Sequence, residues 1–388
     1  MYKILVIHTK YRITGGEDIA VENEVSILKK NYEIETLYFS NKETRNPFTE
    51  TLNIILNRNK LSKKLLIKKI EEFRPNLVYV HNTWFKGSLS IFNVLKKLNV
   101  SYVIKLHNFR FDCGRYITIR GHLKSNDICK ACGLKKNNSF IFNKYYQDSF
   151  LKSFMSIIYN KKYYKILKKS KIFTLTNFQK NFLLNNGFDQ NNVKTLTNPS
   201  NKSFEKLNKQ NFEFTPNSYL IYAGLISEEK GVEELIETYN LLSDYDKKLL
   251  IVGEGPELNR LKKMNKNENI VFTGKMENTD VLHLISNSYS VITNTTLFEG
   301  QPNLLSEASK LGINSIYPNS GGISEFFPME NPFAFKPSNR IELLKKLKLT
   351  KHEAIVRDQA EKNKIYFDKN FTEEKYFENF DRYIEWLT

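Results

Sequence analysis

Cysteine is scarce in this 388-residue chain: three residues, all confined to one short stretch between positions 113 and 132. An odd, localised set excludes a disulfide framework, which needs paired cysteines spread through a small oxidised domain. Long apolar runs are also lacking, since nothing approaches the ~18 residues of a membrane-spanning helix. Met1 leads straight into the alternating segment KILVIHT, without the basic, long-apolar, small-residue order of a signal peptide. The sequence therefore predicts a cytoplasmic protein. Gly (16) and Pro (10) are too few, against 40% hydrophobic and 13% aromatic residues, for a disordered or collagenous chain. Acidic residues are outnumbered, 42 against 59 Lys and Arg, leaving a net charge of +17. That excess favours an anionic partner such as a phosphorylated substrate or an acidic lipid surface. Nucleic acid is not expected, because there is no zinc-finger array, RRM signature or basic tail.

What is present is an alternation of short β-rich runs and helix-length segments, the pattern of parallel sheets covered by helices on both faces, so the fold class is α/β. At ~150 residues per domain the length suits two cores. The first series of strands is KILVIHT (3–9), YEIETLYFS (32–40), LVYVH (77–81), SYVIKLH (101–107) and KIFTLT (171–176). After Asn198-Pro199-Ser200 and a polar stretch comes a second: YLIYAG (219–224), KLLIVG (248–253), NIVFTG (269–274), SVITN (290–294) and SIYP (315–318). The expected domains are residues 1–198 and 199–370, with a last helix, 371–388, packing back on the first. Gly224, Gly253 and Gly274 end three strands of the second series, where ligands of open α/β sheets bind.

The segment LFEGQPNLLSEASKLG (297–312) is the most informative. Gly300 permits an unusual backbone and Pro302 suits the first turn of a helix. Asn303 and Leu304 would then present free amides at a positively polarised helix N-terminus, an anion cradle. Glu299 precedes the cradle and Glu307 lies a turn and a half inside the helix, so the two carboxylates could bracket a phosphorylated ligand and accept hydrogen bonds from hydroxyls at its two ends.

With these residues in that order, the sequence resembles the retaining nucleotide-sugar glycosyltransferases of family 4, over nearly the whole chain. The resemblance implies the GT-B fold, two Rossmann-like domains facing a central cleft, with Glu307 on the ribose hydroxyls and Glu299 on hydroxyls of the donor sugar. A second matching segment, IYAGLISEEKGVEEL (221–235), carries Gly224 and then Lys230, the candidate cation for the donor diphosphate. The family pattern has Arg directly after that glycine, whereas Leu225 stands here, so one of two expected cations is missing; Arg12 is a candidate to compensate. In the first half, Gly15-Gly16 of YRITGGED match the family's glycine loop on the donor. His107, in IKLHNFRFDC, resembles the histidine near the donor sugar and the reaction centre. His81, in YVHNTWF, also ends a strand. A structural role as a satisfied polar group competes with both.

Cys113, Cys129 and Cys132 form C-x15-C-x2-C, a spacing that suits a structural zinc completed by His122 or, less well, His107; free cytosolic thiols are the competing reading. This stretch resembles an insertion of capsule and O-antigen glycosyltransferases. Asp244-Tyr245-Asp246 mimics a metal motif of another glycosyltransferase fold, but precedes a strand on the side where sheet ligands do not bind. GEGP (253–256) lacks a P-loop lysine and is expected to line the nucleotide pocket. Basic-aromatic segments at 57–74 and 150–173 read as amphipathic helices, either core-facing with solvated lysines or approaching an anionic membrane surface from the inner face.

The expected activity is glycosyl transfer from a nucleoside-diphosphate sugar, the co-substrate, to a hydroxyl of a lipid-linked glycan in bacterial surface polysaccharide synthesis. No cofactor is required for it. The leaving diphosphate would help deprotonate the acceptor while Lys230 and the helix N-terminus stabilise its charge. The competing class, motivated by Leu225, is a non-catalytic glycan- or nucleotide-sugar-binding protein of the same fold.

Overall fold

The computed structural model describes residues 1–11, 15–40, 53, 56, 58–111, 150–199 and 214–387. The chain divides into two compact units, Met1–Pro199 together with Glu373–Thr388, and Ser200–Thr372.

The first unit runs β1 (Lys3–Lys10), α1 (Gly16–Leu28), β2 (Glu33–Ser40), α2 (Lys60–Phe73), β3 (Leu77–Val80), α3 (Ser90–Lys97), β4 (Tyr102–Leu106), α4 (Phe150–Leu167), β5 (Lys171–Thr174), α5 (Asn177–Asn185) and β6 (Val193–Thr195). Its six strands pair in parallel in the order β2-β1-β3-β4-β5-β6. Leu77 to Val80 of β3 are all fully buried, as expected of a strand covered on both faces. Helix starts are written locally: the side chains of Asn59 and Thr176 accept from the amides of Ser62 and Gln179, and Asp18 Oδ2 accepts from the Gly15 amide at 3.0 Å.

The second unit runs β7 (Tyr219–Ala223), α6 (Val232–Tyr239), β8 (Lys248–Val252), α7 (Leu258–Met264), β9 (Ile270–Gly274), α8 (Asn278–Ser286), β10 (Ser290–Ile292), α9 (Asn303–Leu311), β11 (Asn314–Pro318), β12 (Ala334–Phe335), α10 (Arg340–Leu349) and α11 (Glu353–Asn370). Its sheet is also parallel, ordered β12-β11-β10-β7-β8-β9. The two-residue period of a strand sorts its side chains into two cores. Leu220, Tyr222, Leu249 and Ile251 pack on one face, and Tyr219, Ile221, Leu250 and Val252 on the other.

Phe371 and Thr372 separate α11 from α12 (Glu373–Leu387), which packs on the first unit. Tyr376 donates to Glu24 Oε1 at 2.5 Å. Phe380 is fully buried against Tyr32 and Tyr79, Tyr32 bonds Asp381, and the Trp386 indole donates to the Asn191 carbonyl. Strands β6 and β12, three and two residues long, were outside the expected series, because segments so short carry no periodicity. Among the described residues no helix is long and apolar enough to cross a membrane.

Candidate active site

In the second unit the chain first winds β7-β8-β9 and then turns to the other side of β7 with β10. The loops leaving β7 and β10 therefore part in opposite directions, and the crevice at such a switch point is where open α/β sheets take ligands. Lys230 follows β7 and Glu299 follows β10, and the fold brings them together: Nζ lies 2.5 Å from Oε1. Both side chains are partly exposed. Thr295 Oγ1 donates to the same Oε1 at 3.1 Å. The Asn294 amide donates to the Gly231 carbonyl at 3.0 Å, and Thr296 donates to the Glu229 carbonyl through both its main-chain N–H and its hydroxyl. The two loops are thus stitched by backbone as well as by charge.

Glycine is demanded where these loops touch. At Gly231 (φ 67) a Cβ would stand 2.2 Å from the Asn294 carbonyl oxygen, and at Gly321 (φ 68) 2.5 Å from that of Glu299. Gly300, expected to permit an unusual backbone, is buried and has no positive φ; the left-handed glycine beside Glu299 is Gly321. Pro302 is the N-cap of α9 and not a first-turn residue, and its side chain offers no cap. Asn303 and Leu304 open the helix, where backbone amides and the helix dipole favour an anion.

Glu307 sits on α9 and, among the described residues, has no hydrogen-bond or ion-pair partner. Burial pushes its carboxyl up to about 8. Its environment raises the cost of ionisation and supplies nothing in return.

Beside β7, the tightest glycine is Gly253, where a Cβ would come 1.9 Å from the Gly224 carbonyl oxygen; Gly255 is similarly pressed against the Ile226 carbonyl at 2.1 Å. At Gly224 an added Cβ would meet only the Tyr222 side chain, 3.3 Å away. Leu225 is 44% exposed, so no packing requires it to be apolar. Its carbonyl accepts the Tyr222 hydroxyl at 2.7 Å. The Asp244–Asp246 turn lies just before β8, at the opposite end of that strand from Gly253.

The first unit has its own switch point, between β1 and β3, and a pocket whose lining includes Tyr11, Glu17, His81, Trp84, His107, Asn108, Arg110 and Tyr159. His81 follows β3 and His107 follows β4, and the fold joins them: His81 Nδ1 and His107 Nε2 are 2.8 Å apart. Burial first, and then the Lys105 cation for His81 and His81 itself for His107, hold both imidazoles well below the usual histidine range. Glu17 Oε2 accepts from the Tyr11 hydroxyl at 2.8 Å and the Asn108 amide at 3.1 Å. Burial raises its carboxyl despite the opposing pull of His8, Tyr11 and Arg110. Gly15 is open, with nothing within 4 Å of an added Cβ, and its amide is engaged by Asp18, which also bonds His8 at 2.8 Å. Gly16 is exposed in the first turn of α1 beside Glu17 and Asp18. Two acidic groups at that helix start suit ligand hydroxyls better than phosphate.

A carboxylate oxygen of Glu24 and one ring nitrogen each of His81 and His107 lie within 4.8 Å of one another, a possible metal-ligand set. Lys105 disfavours a metal there: its Nζ is 2.7 Å from Glu24 Oε1 and both side chains are fully buried, so the carboxylate already has a cation. Cys113, Cys129, Cys132, His122 and Arg12, named from the sequence, lie outside the described residues.

Several site residues escaped the sequence reading: Glu17, Asn108, and the Lys105–Glu24 pair. A lysine inside the strand YVIKL and a glutamate on the apolar face of α1 were the available signals, because a charge at a buried position needs a partner.

Comparison with known proteins bears on the second unit most directly. Residues 203–366 match the family model described as Glycosyl transferases group 1, so this unit carries a domain of that kind. The putative teichuronic acid biosynthesis glycosyltransferase TuaC of Bacillus subtilis is 29% identical over 136 residues, 35% of this chain and 33% of that protein. Protein CapJ of Staphylococcus aureus is 26% identical over 176 residues, 44% of this chain and 42% of that one. The matched segments thus span well under half of either relative. Among solved structures, Anabaena HepE in complex with UDP and glucose has a TM-score of 0.70 at 13% identity, covering 99% of this chain and 100% of that one. Sucrose-phosphate synthase from Thermosynechococcus elongatus has a TM-score of 0.72 at 12% identity, covering 100% and 99%. The fold, two parallel-sheet Rossmann-like units, is that of the GT-B glycosyltransferases.

Proposed function

We propose that this protein is a retaining glycosyltransferase of family 4 type, moving a sugar from a nucleoside-diphosphate donor to a hydroxyl of a glycan in bacterial surface polysaccharide synthesis. The observation that carries this reading is the switch point of the second unit, where Lys230, Glu299 and the start of α9 converge. A diphosphate would draw on the Lys230 ammonium and on the α9 amides, a sugar hydroxyl on Glu299, and the ribose diol on Glu307. The UDP-bound HepE structure and the polysaccharide-related name of TuaC support the same choice.

In the proposed reaction the bond between the anomeric carbon and the diphosphate breaks as the acceptor oxygen bonds the same carbon from the same face. The acceptor proton passes to the departing diphosphate oxygen. Lys230 and the α9 N-terminus stabilise the charge that grows on that oxygen. No cofactor is needed for these steps. The first-unit pocket, with its aromatic walls and the acceptors Glu17 and His107, takes sugar hydroxyls. A lipid-linked acceptor would bring the protein to an anionic membrane surface on the cytoplasmic side. Helix α2 suits that contact, with Leu61 and Leu65 exposed by 41% and 38% on a lysine-rich helix.

The test is turnover of a panel of nucleoside-diphosphate sugars with glycan acceptors, read as released nucleoside diphosphate and as the anomeric configuration of the product. Transfer with retention supports the reading, and inversion or the absence of transfer overturns it. Leu225, which leaves the β7 exit without a second cation, favours one alternative: a nucleotide-sugar-binding protein without catalysis, which would bind a donor and never release its diphosphate.

A further inference from the structure

The proton shared by His81 and His107 can sit in only one of two places, and the buried surroundings discriminate between them. The 2.8 Å contact joins His81 Nδ1 to His107 Nε2, so one of these nitrogens must carry the hydrogen and the other must accept it. Behind the pair, His81 Nε2 and Glu24 Oε2 are both buried without partners. The other carboxylate oxygen, Oε1, already accepts from Lys105 Nζ, Tyr79 and Tyr376. If His81 donated to His107, its Nε2 would be a bare acceptor in the same cluster as the bare carboxylate oxygen. If His107 donates, His81 Nε2 carries a hydrogen, and a donor without a partner then shares a buried cluster with an acceptor without one, a carboxylate oxygen of Glu24 and a ring nitrogen of each histidine lying within 4.8 Å of one another.

We propose that His81 is a positioning residue that holds His107 as the Nε2–H tautomer, leaving His107 Nδ1 as a bare hydrogen-bond acceptor for a ligand hydroxyl. This rests on the reading of the first-unit pocket as a site for sugar hydroxyls. His107 is half-buried and lines that pocket, and among the described residues its Nδ1 has no partner. Both rings remain neutral at physiological pH, so each carries one hydrogen and the count holds. Among the described residues, the charged and titratable groups around the pair are Lys105 on β4, Glu24 on α1, His8 on β1, Tyr79 on β3 and Tyr376 on α12, with Tyr11, Glu17, Arg110, Tyr159 and Tyr163 lining the same pocket. Lys105, tied to Glu24, is the fixed cation that opposes protonation of either ring. The arrangement is a line from a buried carboxylate through two imidazoles to the pocket, and it determines which nitrogen of His107 can receive a hydroxyl hydrogen.

The 388-residue chain has six histidines, few enough for long-range proton–nitrogen spectra of ¹⁵N-histidine-labelled protein, with His107 assigned from His107→Gln. At pH 7.5 the expected result is a protonated Nε2 and an unprotonated Nδ1 at His107. His81→Phe, which keeps ring volume without an acceptor, should let Nδ1–H appear. His81→Asn, whose amide oxygen can stand near the Nδ1 position, should restore the Nε2–H form. In transfer assays His81→Phe should lower kcat at least tenfold with the donor KM within twofold, and His81→Asn should regain most of it. A wild-type His107 protonated at Nδ1, or a tautomer that does not respond to His81→Phe, overturns the proposal. The wild-type spectrum decides even if His81→Phe does not fold. The spectra need no substrate, so failure of transfer with the expected tautomer present counts against the pocket reading alone.

Discussion

The ammonium of Lys230 lies 2.5 Å from Oε1 of Glu299, joining the loop after β7 to the loop after β10 across the switch point of the second sheet. Each side chain holds the other where a diphosphate and a sugar hydroxyl would need them. Lys230→Met should lower donor-dependent turnover by about 10²–10³-fold, the scale for losing one group that stabilises developing charge. Because the pair is partly exposed, its loss should cost only ~0–1 kcal/mol of stability. Unchanged turnover in a folded Lys230→Met protein would remove Lys230 from the mechanism.

Glu307 gives a proton-linked prediction. Its carboxyl is raised to about 8 by burial, so at pH 7 it is mostly protonated. Ribose hydroxyls that donate to it favour the ionised form, and binding should then release up to about one proton. Calorimetry of nucleotide binding in buffers of different ionisation enthalpy measures this release, and Glu307→Gln should abolish it. The sign for stability follows from the same shift. The folded state keeps a proton that the unfolded chain loses above the ordinary carboxylate range, so Glu307 weakens the fold as pH rises toward 8 and no further beyond it. Glu307→Gln should therefore be stabilised relative to wild type at pH 8 more than at pH 5.

Two glycines separate a packing role from a ligand role. Gly253→Ala drives a Cβ to 1.9 Å from the Gly224 carbonyl oxygen at φ 138, and should destabilise by roughly 1–3 kcal/mol with a clear fall in Tm. Gly15→Ala meets nothing within 4 Å and should leave Tm nearly unchanged while lowering transfer. Equal Tm losses in the two variants would contradict this division.

The first unit depends on a buried charge pair. Lys105→Met leaves Glu24 without its cation in the core, and should cost about 3–5 kcal/mol in denaturant unfolding. Adding Glu24→Gln should recover much of that loss, because Tyr79 and Tyr376 can still donate to the amide oxygen while no charge remains. Additive losses would show that the pair is not coupled.

Much of this was legible from the sequence. The strand runs are continuous apolar segments that end in polar residues or glycine, so the parallel α/β class and ten of the twelve strands among the described residues could be read directly. Lys230, Glu299 and Glu307 were legible as candidates because each sits in a short segment with its own local grammar of glycine, proline and helix start. The relations between segments were hidden. The Lys230–Glu299 contact follows from strand order, which no local pattern encodes, and so does the His81–His107 pair. The left-handed turn that supports Glu299 is at Gly321, outside the motif and twenty-two residues after Glu299, and its need arises from a tertiary approach of backbone to backbone. Glu17 was passed over because a glutamate in the first turn of a helix ordinarily serves the helix dipole, and its place in a pocket depends on Tyr11 and Asn108.

A nucleotide-sugar site at the switch point of the second unit must bind a donor. The most direct measurement is equilibrium binding of a panel of nucleoside-diphosphate sugars to the purified 388-residue protein, beside Glu307→Ala. Saturable binding of at least one donor is expected, with affinity lost in the variant while its fold is retained. Absence of binding by every donor at millimolar concentration, or binding unaffected by Glu307→Ala, would contradict it.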